Sequence, residues 1–217
     1  QTLLNAGYTA SEMIEFGTTK LNALLSLNSY GLTKLQAATA YNMGISTQAG
    51  ADQIKTADTA GYSLAEIQVF TLDRLSKVAS LIGFGLSKDQ AEVAYSIGIT
   101  TQTGADQIKT ADTAGYSLAE IQVFSLDRLS KVTSLIGFGL SKDQVEVAYS
   151  IGITTQAGAD QIKTAVAAGY TLAEIQSLSL TKLADTIALI NSGLSKDDAN
   201  SAISSGISSA GAALLSQ

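Results

Sequence analysis

Two arrangements in this chain are of the kind that can start acid–base chemistry. Glu66, Glu120 and Glu174 each stand three residues after Ser63, Ser117 or Thr171, and Ser87-Lys88 and Ser141-Lys142 set a hydroxyl beside an amine. Paired carboxylates can trade a proton, and a serine with a neighbouring lysine can act as nucleophile and base. Each arrangement also has a structural task. Ser or Thr followed at the third position by Glu is a capping box, in which the hydroxyl and the carboxylate satisfy backbone N–H groups at a helix start. Ser87 and Ser141 read as N-caps, with their lysines at the first helical position. Asp73, Asp127, Asp89 and Asp143 fall in first turns, where the helix dipole favours negative charge, and Asp52, Asp106 and Asp160 read the same way. The chain contains no histidine and no cysteine. The commonest general base, metal ligand and thiol nucleophile are therefore missing together. No Asp-x-Asp-x-Asp-Gly loop occurs, so a calcium site would need ligands from different segments, and no glycine-rich nucleotide loop is present. These residues predict no enzyme and no cofactor.

The glutamates belong to one cassette, Gly61-Tyr62-Ser63-Leu64-Ala65-Glu66, which returns at Gly115–Glu120 and Gly169–Glu174 and, in looser form, at Gly7–Glu12. The interval is 54 residues each time, and a fixed long period signals a repeat array. Glycine ends one helix, Ser or Thr caps the next, and the tyrosine before the cap staples onto Met13, Ile67, Ile121 or Ile175. The tyrosine series Tyr8, Tyr62, Tyr116 and Tyr170 reads as junction packing rather than as an aromatic ladder for a ligand.

The period divides the chain into a partial unit 1–46, units 47–100, 101–154 and 155–208, and the start of a further unit at 209–217. Units two and three differ only at Ala49/Thr103, Thr71/Ser125, Ala79/Thr133 and Ala91/Val145. Units one and four diverge more, as terminal units of an array do. In unit four Ser192 replaces the phenylalanine of Phe84 and Phe138, Ile203 the tyrosine of Tyr95 and Tyr149, and Ser177 the valine of Val69 and Val123.

Within unit two, four helices are expected: Gln48 to Ala60, Leu64 to Phe70, one from Leu72 to about Gly83, and one after Ser87 ending at Gly98. Ala51, Ile54 and Ala57 fall on one face of the first; Leu72, Leu75, Ala79 and Ile82 have helical spacing in the third. Gly50 in a first turn suggests close approach of another backbone. Val145, Val147, Tyr149, Ile151 and Ile153 also alternate as a strand would, but the Ser141/Gln144 box and Gly152 favour a helix. Each unit has two related halves, each a capped short helix followed by a longer one. The expected fold is all-α: tandem repeats of four short helices, about sixteen in all, around one continuous solenoid-like core.

The Gly61-Tyr62-Ser63 and Gly85-Leu86-Ser87 starts, each before a short and a longer helix, resemble the helical repeats of mitochondrial transcription termination factors. That family's proline-containing junctions and basic groove have no counterpart here, so its nucleic-acid function is not implied.

Composition sets further bounds. Net charge is −6, and the only arginines are Arg74 and Arg128. No phosphate-neutralising patch is visible, so neither nucleic acid nor an anionic membrane surface is an expected partner. No apolar run approaches the ~18 residues of a membrane span. Apolar residues make up 46% of the chain, enough for a core. Acidic, cysteine-free, Ser/Thr/Ala/Gly-rich repeats look like those of exported bacterial surface or matrix proteins, which suggests an extracellular or cell-surface location.

Ser208–Leu215 aligns with Thr47–Ile54 with one residue deleted, and Gln1-Thr2 aligns with Lys55-Thr56. Three readings follow: a piece of a longer array, intramolecular closure, or head-to-tail association in which one chain's tail completes another's first helix. Gln1, Leu3, Leu4, Ala212, Ala213, Leu214 and Leu215 are the expected assembly contacts. The leading functional expectation is a self-assembling structural repeat protein of a filament, surface layer or adhesin. The alternative is a solenoid module that binds a protein or peptide, with a glycan as a further possible partner.

Overall fold

The computed structural model describes residues 2–207. These form fourteen helices, and no strand occurs among them: α1 (Ala10–Ser29), α2 (Lys34–Asn42), α3 (Gln48–Thr59), α4 (Leu64–Gln68), α5 (Leu72–Gly83), α6 (Lys88–Ser96), α7 (Gln102–Thr113), α8 (Leu118–Gln122), α9 (Leu126–Gly137), α10 (Lys142–Ser150), α11 (Gln156–Ala167), α12 (Leu172–Ser177), α13 (Leu180–Asn191) and α14 (Lys196–Ser204). The chain divides into two compact bodies, Gln1–Lys109 and Thr110–Gln217, with the division inside α7.

The helix starts obey the capping rule. At α4 the Glu66 N–H donates to Ser63 Oγ at 3.2 Å while the Ser63 N–H donates to Glu66 Oε2 at 2.7 Å. The same reciprocal pair opens α1, α2, α6, α8, α10 and α12. At α14 Asp198 stands in the third position; its shorter side chain takes the Ser195 hydroxyl at 2.6 Å instead. The helix ends rely on glycine. Gly61 adopts φ 97°, which lets its N–H reach Asp58 O at 3.0 Å and the Tyr62 N–H reach Ala57 O at 3.1 Å. This is a Schellman closure, and it satisfies two carbonyls that the helix would otherwise leave unpaired.

Of three local expectations, two are met and the one at Gly50 needs correction. The α1 span holds the two helices expected of it, joined end to end. It is broken at Gly17 (φ 66°, ψ 163°), which occupies the position where Thr71 caps α5. With no hydroxyl to cap a second start, the chain makes a one-residue break. Gly50 does not admit another backbone: a Cβ there would stand 2.5 Å from Ile45 Cγ2, so the glycine clears a side chain of the preceding junction. The alternating residues around Val145 form helix α10, with Val145, Val147 and Ala148 buried, while Ile153 is buried from the junction beyond it.

In the first body α1 packs on α2, α3 on α5, α5 on α6, and α2 on both α3 and α4. Their contact faces bury Leu24, Leu27, Ile54, Ile67, Leu75 and Leu81 almost completely. In the second body α9 packs on α10, α11 on α13, α10 on α12 and α13 on α14, around Ile162, Ile175, Leu183 and Leu189. Each such side chain contributes roughly 1.5–3 kcal/mol relative to exposure. The short helices α4, α8 and α12 have too few internal hydrogen bonds to stand alone. Ile67, Ile121 and Ile175, all fully buried, hold them in place.

Candidate functional site

The capping glutamates do more than cap. Lys88, at the first position of α6, reaches back across the junction: its Nζ donates to Gly61 O at 3.2 Å and to Glu66 Oε1 at 2.7 Å. Lys34, Lys142 and Lys196 make the corresponding contacts to Gly7 and Glu12, Gly115 and Glu120, and Gly169 and Glu174. The lysine hydrogen bond, followed by those from the capping serine or threonine, holds each of the four carboxyls at a pKa of about 2. A carboxylate held that far below neutrality is a fixed anion and a poor proton acceptor. The Ser87-Lys88 and Ser141-Lys142 pairs are spent likewise: the hydroxyls accept from Gln90 and Gln144, and the amines engage the preceding junction.

A second cluster lies beside this clamp. Tyr62, buried at the start of α4, donates its hydroxyl to Glu92 Oε1 of α6 at 2.7 Å. Arg74 of α5 donates to Glu92 Oε2 at 2.7 Å. Its guanidinium lies 4.2 Å from the Phe70 ring centroid and 5.3 Å from that of Tyr95. Phe70 meets Tyr62 edge-on at 5.5 Å. Burial first, and then the Glu92 carboxylate, push the Tyr62 hydroxyl pKa upward, so it remains a donor. Tyr62, Glu66, Val69, Phe70, Arg74 and Glu92 line a surface cleft of about 300 Å³. In the second body Tyr116, Phe124, Arg128, Glu146 and Tyr149 repeat the arrangement, with Tyr116 at 2.8 Å and Arg128 at 3.0 Å from Glu146. Every charge in each cluster has an opposite partner, and neither holds a free nucleophile. Arg74 Nε and Arg128 Nε alone find no acceptor among the described residues.

Residue-by-residue reading missed this network, because Tyr62 and Glu92 are 30 positions apart and meet only through helix packing. A joint signal was present. Where Arg74 and Arg128 become Lys20 or Lys182, Glu92 and Glu146 become Ala38 or Asn200.

The expected assembly residues fall in two groups. Leu3 is buried in the core of the first body, while Leu4 is 63% exposed. Both line an apolar groove of about 380 Å³ with Thr2, Met13, Leu21 and Leu25. Gln1, Ala212, Ala213, Leu214 and Leu215 lie outside the described residues. Among the described residues no three His, Cys, Asp or Glu side chains gather in a metal-holding group, and no helix is long and apolar enough to cross a membrane. The chain matches no family model, no curated protein and no solved structure.

Proposed function

We propose that the chain is a structural repeat protein: 54-residue helical units stacked as a solenoid, serving as building blocks of an extracellular filament, surface layer or adhesin and associating head to tail. The apolar groove at Leu4, Met13, Leu21 and Leu25 is the observation that carries this reading. The residues 54 positions after Met13 and Leu21 are Ile67 and Leu75, both fully buried, and α3 packs against α5 with Ile54 and Ala51 at 0% exposure. A helix of the α3 kind, small residues followed by a branched or long aliphatic one, is therefore the shape that suits the groove. Residues 209–215 repeat that pattern, with Ala212 and Leu215 in the places of Ala51 and Ile54. A second copy is thus a chemically matched partner, and its contact would be heterologous, propagating into a filament or closing into a ring.

Sedimentation velocity across a hundredfold range of concentration tests the proposal. Mass should grow with concentration, and Leu4→Asp should abolish that growth while leaving helix content unchanged, because Leu4 is mostly exposed. A species that stays monomeric throughout, or a variant that associates as the parent does, overturns it. The alternative, a solenoid module for a protein or peptide partner, draws its support from the cleft at Tyr62 and from the matching side-chain cluster at Tyr116. Two like clusters suit a ligand with a repeated motif.

A further inference from the structure

Val69 caps the end of α4 and is 80% exposed. The fold does not require an apolar residue there, since Glu15 holds the corresponding place in unit one and Ser177 in unit four. The valine returns only as Val123, 78% exposed, and each valine accompanies an ion pair, Arg74–Glu92 or Arg128–Glu146. Where the pair is lost, to Lys20 with Ala38 or to Lys182 with Asn200, the valine is lost with it. A single exposed apolar side chain needs no explanation. One that accompanies a charge pair and lines the same cleft as that pair has a task outside the fold.

We propose that the Tyr62 cleft binds a short, uncharged stretch of peptide, its backbone amide against Arg74 and Glu92 and its aliphatic side chain against Val69. This rests on the reading of the chain as a module for a protein or peptide partner. The charged side chains of the cleft form two pairs, Arg74–Glu92 and Lys88–Glu66, and all are 30–46% exposed, within reach of a molecule in the cleft. The pairs leave no net charge, so an ion would lose at one member what it gained at the other. An amide presents C=O beside N–H, as each pair presents a donor beside an acceptor. The bond to Glu92 uses one N–H of Arg74 Nη2, and each Glu92 oxygen accepts a single bond, so both groups keep hydrogen-bonding capacity. A sugar would need an open ring face. The Arg74 guanidinium lies over Phe70 and Tyr95, and Lys88 Nζ stands 4.8 Å from the Tyr62 centroid. The volume of about 300 Å³ is at the lower limit of ligand pockets and suits a short peptide segment rather than a folded partner.

The test is a titration of the full chain with N-acetyl-leucine methylamide, followed by the NMR signals of the Val69 methyls and the Arg74 side-chain N–H groups. N-acetyl-leucine and leucine methylamide, which keep the side chain and carry a charge, are the controls. The neutral probe should give saturable shifts at both residues, with apparent affinity about threefold or more above either control. Val69→Ser, which installs the residue of unit four, should weaken binding about threefold or more at the Arg74 signals. Arg74→Lys, which installs the residue of units one and four, should do the same at the Val69 methyls. A charged control that binds as tightly, or variants that bind as the parent does, overturns the proposal. Saturable shifts confined to residues outside the cleft also overturn it but leave a peptide-binding module standing, whereas no saturable shift at any residue removes both.

Discussion

The junction at Tyr116 and the junction at Tyr170 are built on the same backbone and carry different side-chain networks. Both begin with a positive-φ glycine, close a capping box, and hold their glutamate with a lysine from the next helix but one. At the first, Tyr116, Phe124, Arg128 and Glu146 knit α8, α9 and α10 together through charge and ring contacts. At the second, Leu178, Lys182 and Asn200 stand in those places, and what remains is the Tyr170 hydroxyl on Asn200 Oδ1 at 2.8 Å and on Lys196 O at 3.3 Å. The comparison separates what makes the fold from what is added to it. Glycine, cap and clamp are common and sufficient for the helix junction. The Arg–Glu pair is an addition found at Arg74 and Arg128, in the two units that differ at only four positions.

If the frame is common, breaking it should cost the same at either place. Gly115 and Gly169 adopt φ 96° and 91°, a region hostile to a β-branched side chain. Gly115→Val and Gly169→Val should each lose roughly 1–3 kcal/mol in urea denaturation. Unchanged stability at Gly115 would mean that the closure is not what ends the helix. A large inequality between the two would mean that the frame is not shared.

The added network should cost more to break than its remnant. Glu146→Ala strips the acceptor from both Tyr116 and Arg128, whereas Asn200→Ala leaves Tyr170 its bond to Lys196 O. The Arg128 and Glu146 side chains are 32% and 40% exposed, so solvent screens the pair and the loss should be about 1–2 kcal/mol, against less than about 1 kcal/mol for Asn200→Ala. Glu146→Gln separates charge from hydrogen bonding, since it keeps an acceptor for Tyr116. Equal losses for Glu146→Ala and Asn200→Ala would reduce the network to surface decoration.

The same division explains what could be read from the chain alone. Caps, glycine stops and the burial of Ile54, Ile67 and Leu75 follow from spacings of a few residues, and the helices α3 to α6 fall within two residues of the expected limits. Two features required a third dimension. The two helices of the α1 span meet at the single non-helical residue Gly17, and how closely one follows the other depends on how the flanking turns pack. The Tyr62–Glu92–Arg74 contact spans helices α4, α5 and α6, and no spacing rule within one helix connects them. Leu4 and Leu3, adjacent and chemically alike, end up on opposite sides of the surface; the turn that separates them is visible only in the folded chain.

The smallest effect tests whether the clamp is common to both junctions. Glu120 and Glu174 are each held at a pKa of about 2, first by the hydrogen bond from Lys142 or Lys196 and then by those of the capping residue. An unfolded glutamate titrates near ~4.3. Between these values the unfolded chain binds more protons than the folded one, so stability rises with pH there. The contribution is complete above about pH 5 and is lost as pH falls toward about 2. Glu120→Gln should flatten the acid slope of the thermal midpoint without removing the cap, because Gln90 and Gln144 close the same box in the sister junctions. Both carboxylates face solvent, so the change should be modest. It should also be equal for Glu174→Gln, whose partner Lys196 makes the same contacts as Lys142. Unequal slopes would show that the Arg128–Glu146 network next to Glu120 reaches into the clamp, and that the two layers of the junction are coupled rather than stacked.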